Sequence, residues 1–151
     1  MSQPVRPKSS GMSPYLIVRG AAAAMEFYRL AFDAKLLYAL REPSGKVGHA
    51  ELQIGASRFM LADEYPDFGA LSPVSVGGTP VFLHLYVEDV DEVVKRASDA
   101  GATVLRPLRD EFFGDRTATV SDPFGHRWQL ATPIEEVSPE EMQRRMDAAF
   151  G

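Results

Sequence analysis

The sequence predicts an α+β fold assembled from two copies of a βαβββ unit. The elements predicted in residues 13–62 recur in the same order in residues 81–132. Two anchors share one spacing: Leu16-Ile17-Val18 lies 69 residues before Leu85-Tyr86-Val87, and Phe59-Met60-Leu61-Ala62 lies 69 residues before Trp128-Gln129-Leu130-Ala131. The shared spacing favours internal duplication over accidental similarity within a single α+β sandwich. Because one unit cannot bury its own sheet face, the two units are expected to pack together.

In the first unit, a β-rich run over residues 14–18 leads into a helix. The helix is predicted because apolar residues recur at i, i+3, i+4 and i+7, namely Ala21, Ala24, Met25, Tyr28, Ala31 and Phe32. Strands are predicted at residues 35–41, 47–55 and 58–62, with turns at residues 43–46 and 55–57. Residues 63–80 carry three Pro and three Gly and are predicted to be a linker rather than a packed element.

The second unit repeats this pattern after the linker. A strand at residues 81–87 precedes a helix with Asp89 as N-cap and Glu92 three residues later, and Gly101 is placed to end that helix. A short strand at residues 103–105, a loop at residues 106–114, and strands at residues 117–121 and 127–131 follow. Residues 133–151 form a C-terminal helical extension, which Ser138 opens with a capping box and which carries an apolar stripe of Met142, Met146 and Phe150.

Composition excludes several classes of function. The chain has 151 residues and 45% hydrophobic content, which suits one compact domain. A formal net charge of -5 argues against nucleic acid or an anionic membrane as a partner. No apolar run reaches the ~18 residues that span a bilayer, and residues 1–12 are predicted to be a flexible arm without signal-peptide character. Cysteine is absent, which suits a reducing compartment, and the expected location is the cytoplasm.

Four stretches carry a resemblance to a known family: Pro14 to Gly20, Met25-Glu26-Phe27-Tyr28, Leu83 to Asp91, and Asp122 to Leu130. Together they make residues 13–132 similar to a domain of the vicinal oxygen chelate superfamily, the glyoxalase/bleomycin resistance protein/dioxygenase group, in its PhnB-like branch. The resemblance implies a single domain with module one at residues 13–62, a linker at residues 63–80 and module two at residues 81–132. It also implies that the paired modules curl into a sheet cup, usually in a homodimer.

The resemblance also locates the metal site that enzymes of this superfamily use. Its four ligand positions correspond in this chain to Ser13, Met60, Phe82 and Gln129. A divalent metal of this kind needs imidazole or carboxylate donors, whereas Phe82 has no donor atom and Met60 offers a thioether. Gln129 stands where the enzymes usually place a glutamate. The usual metal site is therefore not expected, and no cofactor is predicted, except for a divalent metal at a rearranged site.

Strand alternation predicts which side chains line the cup. Because Ala50, Leu52 and Ile54 form the apolar face against the helix, the residues between them are expected to face the cup. The predicted ligand-binding residues are mostly aromatic with a few polar groups: Tyr15, His49, Glu51, Met60, Phe82, His84, Tyr86, Phe112, Phe113 and Gln129. Thr117, Thr119 and Ser121 are expected on the same side in the second module.

His49, Glu51 and His84 admit three interpretations. They form a displaced 2-His-1-carboxylate metal site, or an acid–base set for proton transfer, or hydrogen-bonded cup residues that shape a ligand site without chemistry. The third interpretation is preferred. His126 follows a turn glycine and is interpreted as structural. The arginines at positions 106, 109, 116 and 127 suit either an anion-binding rim or surface ion pairs with nearby acids, and the acids favour ion pairs.

Three functional hypotheses follow. The preferred one is a glyoxalase/bleomycin-resistance-like homodimer that binds a small, aromatic or planar molecule in an aromatic-lined cup. The alternative is a lyase, isomerase or dioxygenase of the same superfamily, with a rearranged metal or acid–base site at His49, Glu51 and His84. The third is a purely structural dimerisation module.

Overall fold

A computed structural model describes residues 11–151, so that most of the predicted N-terminal arm (residues 1–10) lies outside the described residues. The elements follow the order β1 (Tyr15–Val18), α1 (Ala21–Phe32), β2 (Lys35–Arg41), β3 (Val47–Ile54), β4 (Ser57–Asp63), α2 (Pro73–Val76), β5 (Phe82–Tyr86), α3 (Val90–Asp99), β6 (Thr103–Asp110), β7 (Asp115–Ser121), β8 (Arg127–Pro133) and α4 (Pro139–Phe150). They form two four-stranded sheets, ordered β1-β4-β3-β2 and β5-β8-β7-β6. The α+β fold of two βαβββ modules is confirmed.

The two modules share one hydrophobic core. In each sheet, the first strand of the module lies parallel to the last one, and the other pairs are antiparallel. Helices α1 and α3 pack against each other between the sheets. Phe59 on β4 and Trp128 on β8 meet in this layer, with ring centroids 6.1 Å apart. Since each sheet turns its helix-covered side towards this common core, the two opposite sides of the sheets, called the outer faces below, point away from one another.

The turn between β7 and β8 is fastened to the core by a buried carboxylate. Asp122 is 4% exposed and accepts hydrogen bonds from the Tyr28 hydroxyl (2.6 Å) and from Trp128 Nε1 (3.0 Å). Its other oxygen accepts from the backbone N–H groups of Phe124 and His126. The His126 ring lies 2.9 Å from the carbonyl oxygen of Ile17 on β1. Both residues therefore join the second module to the first, which agrees with a structural interpretation of His126.

Strand β6 is longer than the alternation pattern predicts. The predicted strand ended at residue 105, with residues 106–114 as a loop, but β6 continues to Asp110. The pairing of β6 with β7 shifts register between Val104 and Arg106, and again between Arg106 and Arg109. Each β-bulge adds a residue and breaks the period-2 pattern, so that the strand could not be recognised from alternation. Pro107 is tolerated because β6 is an edge strand.

The connection between the modules is ordered rather than an unpacked linker, contrary to the prediction. It contains a 3₁₀ turn at Pro66–Phe68 and the short helix α2, and Ser72 is fully buried. Glu64 holds the connection to the first module, because its carboxylate accepts from the Ser72 N–H at 2.8 Å and from the Ser75 hydroxyl. Arg19 adds an ion pair at 3.4 Å. Pro and Gly composition alone does not reveal this anchoring carboxylate.

The Glu64 contacts predict a pH dependence of stability. Hydrogen bonds from Ser72 and Ser75, with a smaller contribution from Arg19, lower the pKa of the Glu64 carboxyl to about 2. A lowered folded-state pKa stabilises the protein above the unfolded-state pKa, and this stabilisation is lost as the pH falls towards the folded-state pKa. We therefore expect Glu64→Gln to lower the urea midpoint of unfolding near neutral pH, and this deficit to shrink steadily below about pH 4.3. A deficit that is independent of pH would contradict this role.

The C-terminal helix α4 is fastened by an arginine. The Ser138 side chain accepts from the Glu141 N–H, which confirms Ser138 as the N-cap, while the Glu141 carboxylate pairs with Arg145 at 3.0 Å. Arg145 donates to the carbonyl oxygen of Phe112 (2.9 Å) and pairs with Glu135 (2.8 Å). The apolar stripe of α4 is largely uncovered, since Met146 and Phe150 are exposed. Among residues 11–151, no helix is long and apolar enough to cross a membrane.

Candidate functional site

The outer face of β1–β4, called the first face, carries a row of side chains that come from all four strands. The register pairs Tyr15 with Met60, Met60 with Glu51, and Glu51 with Tyr38. Residues directly opposite one another in a sheet share a face, so these four side chains lie in line across it. Tyr15, Glu51 and Met60 were predicted here from alternation, and His49 lies on the same face two residues before Glu51.

His49 is held by two tyrosines. Its Nδ1 lies 2.7 Å from the Tyr15 hydroxyl, and its Nε2 lies 3.1 Å from the Tyr38 hydroxyl. Both rings also contact the imidazole, at centroid distances of 5.4 and 5.7 Å. With both nitrogens engaged, the imidazole has no free lone pair for a metal ion unless one tyrosine moves away.

Tyr15 remains a neutral phenol on this face. Burial, with a further contribution from the neighbouring Tyr38, raises the pKa of the Tyr15 hydroxyl. A phenol with a raised pKa stays protonated near neutrality and serves as a hydrogen-bond donor or acceptor rather than as a phenolate. Glu51 is 6% exposed, and its carboxylate lies 3.7 Å from the Arg58 guanidinium. The face therefore combines aromatic surface with one buried, ion-paired carboxylate.

Sequence reasoning missed Tyr38 and the aromatic residues of the connection. Alternation from Leu36, which pairs with the buried Leu52, places Tyr38 on the helix side, but a register shift between Leu36 and Tyr38 turns it to the first face. The apolar pair Leu36-Leu37 is the signal that could have indicated the bulge. Tyr65 and Phe68, with Tyr15 and Ile17, line a 420 Å³ depression beside the row. The Lys46 ammonium lies 3.8 Å from the centre of the Tyr65 ring.

The outer face of β5–β8, called the second face, carries the equivalent row with different chemistry. The register pairs His84 with Gln129, Gln129 with Thr119, and Thr119 with Arg106. His84 contacts Tyr86 with ring centroids 4.6 Å apart. The Tyr86 hydroxyl donates to Asp115 at 3.3 Å, and the charge of Asp115 raises the pKa of that hydroxyl.

Phe112 and Phe113 lie on the β6–β7 turn, edge to face, with centroids 5.4 Å apart. Phe113 and Tyr86 line a depression of about 700 Å³ at the end of the second face, together with Ile134, Val137 and Met142 of the C-terminal extension. The extension therefore contributes to the surroundings of the predicted ligand residues. The sequence indicated no such contribution.

The catalytic candidates do not converge within one chain. His49 and Glu51 lie on the first face, and His84 lies on the second face, on the other side of the core. Within residues 11–151, no group of three or more His, Asp or Glu side chains is arranged to hold a metal ion. The four superfamily ligand positions do not fit a divalent ion either, because Phe82 lacks a donor and Met60 offers only a thioether.

A cleft of about 790 Å³ opens between the two sheets, beside strands β1 and β5. Its floor is apolar, formed by Leu16, Phe59, Leu83 and Trp128, and Ser13, Arg58, Phe82 and His84 lie at its opening. Both strands are edge strands and present unpaired backbone groups. The cleft forms only where the two modules pack together, so that it could not be predicted from the sequence pattern of either module.

The chain belongs to the Glyoxalase/Bleomycin resistance protein/Dioxygenase superfamily, whose family model matches residues 12–130. The chain is similar to the uncharacterized protein Rv0887c of Mycobacterium tuberculosis, with 46% identity over 140 residues, which covers 91% of this chain and 82% of the relative. The crystal structure of TioX from Micromonospora sp. ML1 is 28% identical and matches with a TM-score of 0.63, over 85% of this chain and all (100%) of that one. A PhnB protein from Bacillus cereus, 23% identical, shares the fold over 82% of this chain and 99% of its own, with a TM-score of 0.62.

Proposed function

We propose that the protein binds a small aromatic or planar molecule in cups that a homodimer forms, each from the first face of one protomer and the second face of its partner. The observation that carries this proposal is the opposite orientation of the two faces within one chain. Each face is half of a cup and stays open to solvent: Tyr15 is 47% exposed, Phe82 55% and Tyr86 61%. Aromatic side chains left open to solvent in a shared patch are typical of binding surfaces.

The edge strands give the second protomer a place to dock. The cleft beside β1 and β5 has an apolar floor, and Val81 and Phe82 at the start of β5 are exposed. A second copy that places its own β5 beside β1 covers both edges at once and brings the first and second faces together. This is an isologous arrangement, which yields two equal cups in a closed dimer.

The side chains support binding rather than metal chemistry. The donor set at the superfamily's ligand positions is unsuited to a divalent ion, and both nitrogens of His49 are engaged by tyrosines. A planar ligand would stack on Tyr15, Phe82 and Tyr86, since aromatic contacts of this type contribute about 0.5–1.5 kcal/mol each beyond area burial. Glu51, His49 and Gln129 would orient its polar groups.

A second function, proton transfer at His49, is favoured by one contact. The 2.7 Å distance between the Tyr15 hydroxyl and His49 Nδ1 is within the range required of an acid–base pair. In this role the chain would be a lyase, isomerase or dioxygenase whose acid–base groups are His49, Glu51 and, from the partner, the second His84. The raised pKa of Tyr15 disfavours a phenolate and leaves the imidazole as the base.

Ligand binding is tested with naphthalene-2-carboxamide, a neutral planar probe, by titration calorimetry. We expect saturable binding, and Tyr38→Ala is expected to weaken it about tenfold because it removes an aromatic wall and frees the His49 ring. Phe150→Ala, a change at an exposed aromatic on α4, serves as the matched control and should leave the affinity unchanged. Equal affinities of the wild type and Tyr38→Ala would argue against the first face as a binding surface.

The shared cup is tested by mixing. Tyr38→Ala disables the first face, and His84→Ala disables the second face. When both variants are co-expressed, mixed dimers contain one intact cup and one cup with both changes, so that wild-type affinity should reappear at reduced stoichiometry. If each cup were formed within one chain, mixing would restore nothing. Stoichiometric zinc, nickel, iron or manganese in the purified protein, lost in both Glu51→Ala and His84→Ala, would refute the metal-free proposal and favour the enzyme.

A further inference from the structure

The internal duplication allows each position of the second face to be compared with its equivalent on the first. By strand register, Tyr15, Met60, Glu51 and Tyr38 on the first face correspond to His84, Gln129, Thr119 and Arg106 on the second. In the same way, Arg58 corresponds to Arg127, because each lies two residues before the last-strand member of its row. The backbone is the same at both places, so that differences between the faces are differences of side-chain chemistry.

Charge differs most between the two faces. On the first face, the Arg58 guanidinium lies 3.7 Å from the Glu51 carboxylate. On the second face, Thr119 replaces that glutamate and Arg106 replaces Tyr38. Two positive charges, those of Arg106 and Arg127, therefore stand where the first face has one positive and one negative charge. Within residues 11–151, neither arginine has an ion-pair or hydrogen-bond partner. The expectation that these arginines form surface ion pairs holds for Arg109 and Arg116 alone.

Among the described residues, three further polar side chains of the second face lack a hydrogen-bond partner, whereas Tyr86 donates to Asp115 and Thr117 donates to Glu111. Thr119 is 5% exposed, yet its hydroxyl makes no hydrogen bond within the described part of the chain, and the same is true of the Gln129 amide and the His84 ring nitrogens. The equivalent first-face groups are all engaged: Tyr15 and Tyr38 bond to His49, and Glu51 pairs with Arg58. His84 and Arg106 are exposed and Gln129 is half-buried, so that their polar atoms are open to solvent and are available to hydrogen-bond a ligand.

The backbone itself turns Arg106 to this face. Val104 pairs with the buried Val120, and strict alternation from Val104 would direct Arg106 into the core side. The bulge between them pairs Arg106 with Thr119 instead. β-Bulges that re-aim a side chain concentrate next to functional sites. The equivalent bulge in β2 turns Tyr38 towards His49, so that the same device positions a residue on both faces.

From these observations we propose that the second face binds an oxyanion, a carboxylate or a phosphate, between Arg106 and Arg127, with Thr119, Gln129 and His84 as further hydrogen-bond donors. Arg106 and Arg127 lie on strands separated by β7, and their β7 partners, Thr119 and Ser121, are two residues apart. Their backbones are therefore about 12 Å apart, and long guanidinium side chains can close such a gap around an anion. This proposal rests on the proposed function. The ligand of the cup is then an aromatic acid, with its ring on the aromatic first face and its anionic group on the second face.

The test compares 2-naphthoate with naphthalene-2-carboxamide, which has nearly the same shape and no charge. We expect the full-length protein to bind the acid at least about tenfold more tightly, with a preference that declines as salt is added. Arg106→Gln and Arg127→Gln should each remove most of this preference without weakening the amide. Arg144→Gln, at an exposed arginine of α4, is the matched control and should retain it.

Every result of this comparison either supports or overturns the oxyanion site. Equal affinities for acid and amide, or a preference that survives in the Arg106→Gln/Arg127→Gln double variant, would overturn the oxyanion site while leaving aromatic binding intact. If neither naphthalene compound binds, the aromatic cup fails, and inorganic phosphate alone then tests the anion site by thermal stabilisation. Stabilisation that Arg106→Gln abolishes supports the oxyanion site, and the absence of stabilisation overturns it.

Discussion

Asp122→Ala is expected to lower the free energy of unfolding by about 4 kcal/mol, because the substitution leaves several buried donors without an acceptor. Asp122 accepts from the Tyr28 hydroxyl and Trp128 Nε1 through one oxygen, and from two backbone N–H groups of its own turn through the other. Tyr28 is fully buried and Trp128 is 5% exposed, so that water cannot readily replace the lost acceptor. Trp128 is the only tryptophan, and its fluorescence follows unfolding in urea.

Two further variants show whether the loss of stability in Asp122→Ala comes from its hydrogen bonds or only from the loss of a negative charge. Tyr28→Phe removes one donor together with its need for a partner, and should cost only about 1–2 kcal/mol. Asp99→Ala removes an exposed carboxylate that pairs with Lys95, and should change stability by no more than about 0.5 kcal/mol. A loss below about 1 kcal/mol for Asp122→Ala would mean that the modules are not joined through this turn.

Gly114→Ala should produce the second large effect, a loss of about 3 kcal/mol. Gly114 has φ +98°, and a Cβ atom there would clash with the carbonyl oxygen of Glu135 and lie 3.0 Å from Val137 Cγ2. The backbone cannot simply move away, because the Gly114 carbonyl accepts from the N–H groups of Ile134 and Glu135 at 2.9 and 3.0 Å. The substitution therefore separates the C-terminal extension from the β6–β7 turn, and urea unfolding measures the loss.

Gly45→Ala is the matched control at the equivalent turn of the first module. Gly45 has φ +91°, and nothing lies within 4 Å of the position that a Cβ would take. The control therefore contains the strain of the left-handed conformation without the clash, and should cost about 1 kcal/mol. Equal losses in the two variants would show that the extension does not pack against Gly114 in solution.

Much of the fold could be predicted because the chain repeats itself. Offsets of 69 residues between anchors, amphipathic helices and the N-cap at Ser138 depend on local chemistry, which the sequence displays directly. What alternation missed were the places where the period breaks. The bulges at Leu36/Tyr38 and Val104/Arg106 shift every following side chain to the other face, and a fixed period of two cannot represent an inserted residue. The part of strand β6 beyond Leu105 was not predicted for this reason.

The candidate site was predictable where its residues lie on strands that keep the period of two. Residues on regular strands, such as Tyr15, His49 and Gln129, were predicted to face away from the helices, and they lie on the outer faces of the sheets. Tyr38 and Arg106 follow bulges and were assigned no place on these faces. The ordered connection was missed because its anchor, Glu64, acts through contacts with Ser72 and Ser75 that composition does not indicate.

The sequence by itself determined the family and the duplicated βαβββ architecture, and the resemblance to that family predicted a poor fit of Ser13, Met60, Phe82 and Gln129 to a metal ion. The duplication follows from residue type and spacing, which are local. Only the tertiary structure decided that the two modules pack through their helix-covered sides, so that the first and second faces point in opposite directions. That outcome depends on how Phe59, Trp128 and the two helices pack in one core. Packing of this kind is a property of surfaces brought together from distant parts of the chain, and no single stretch of sequence contains it.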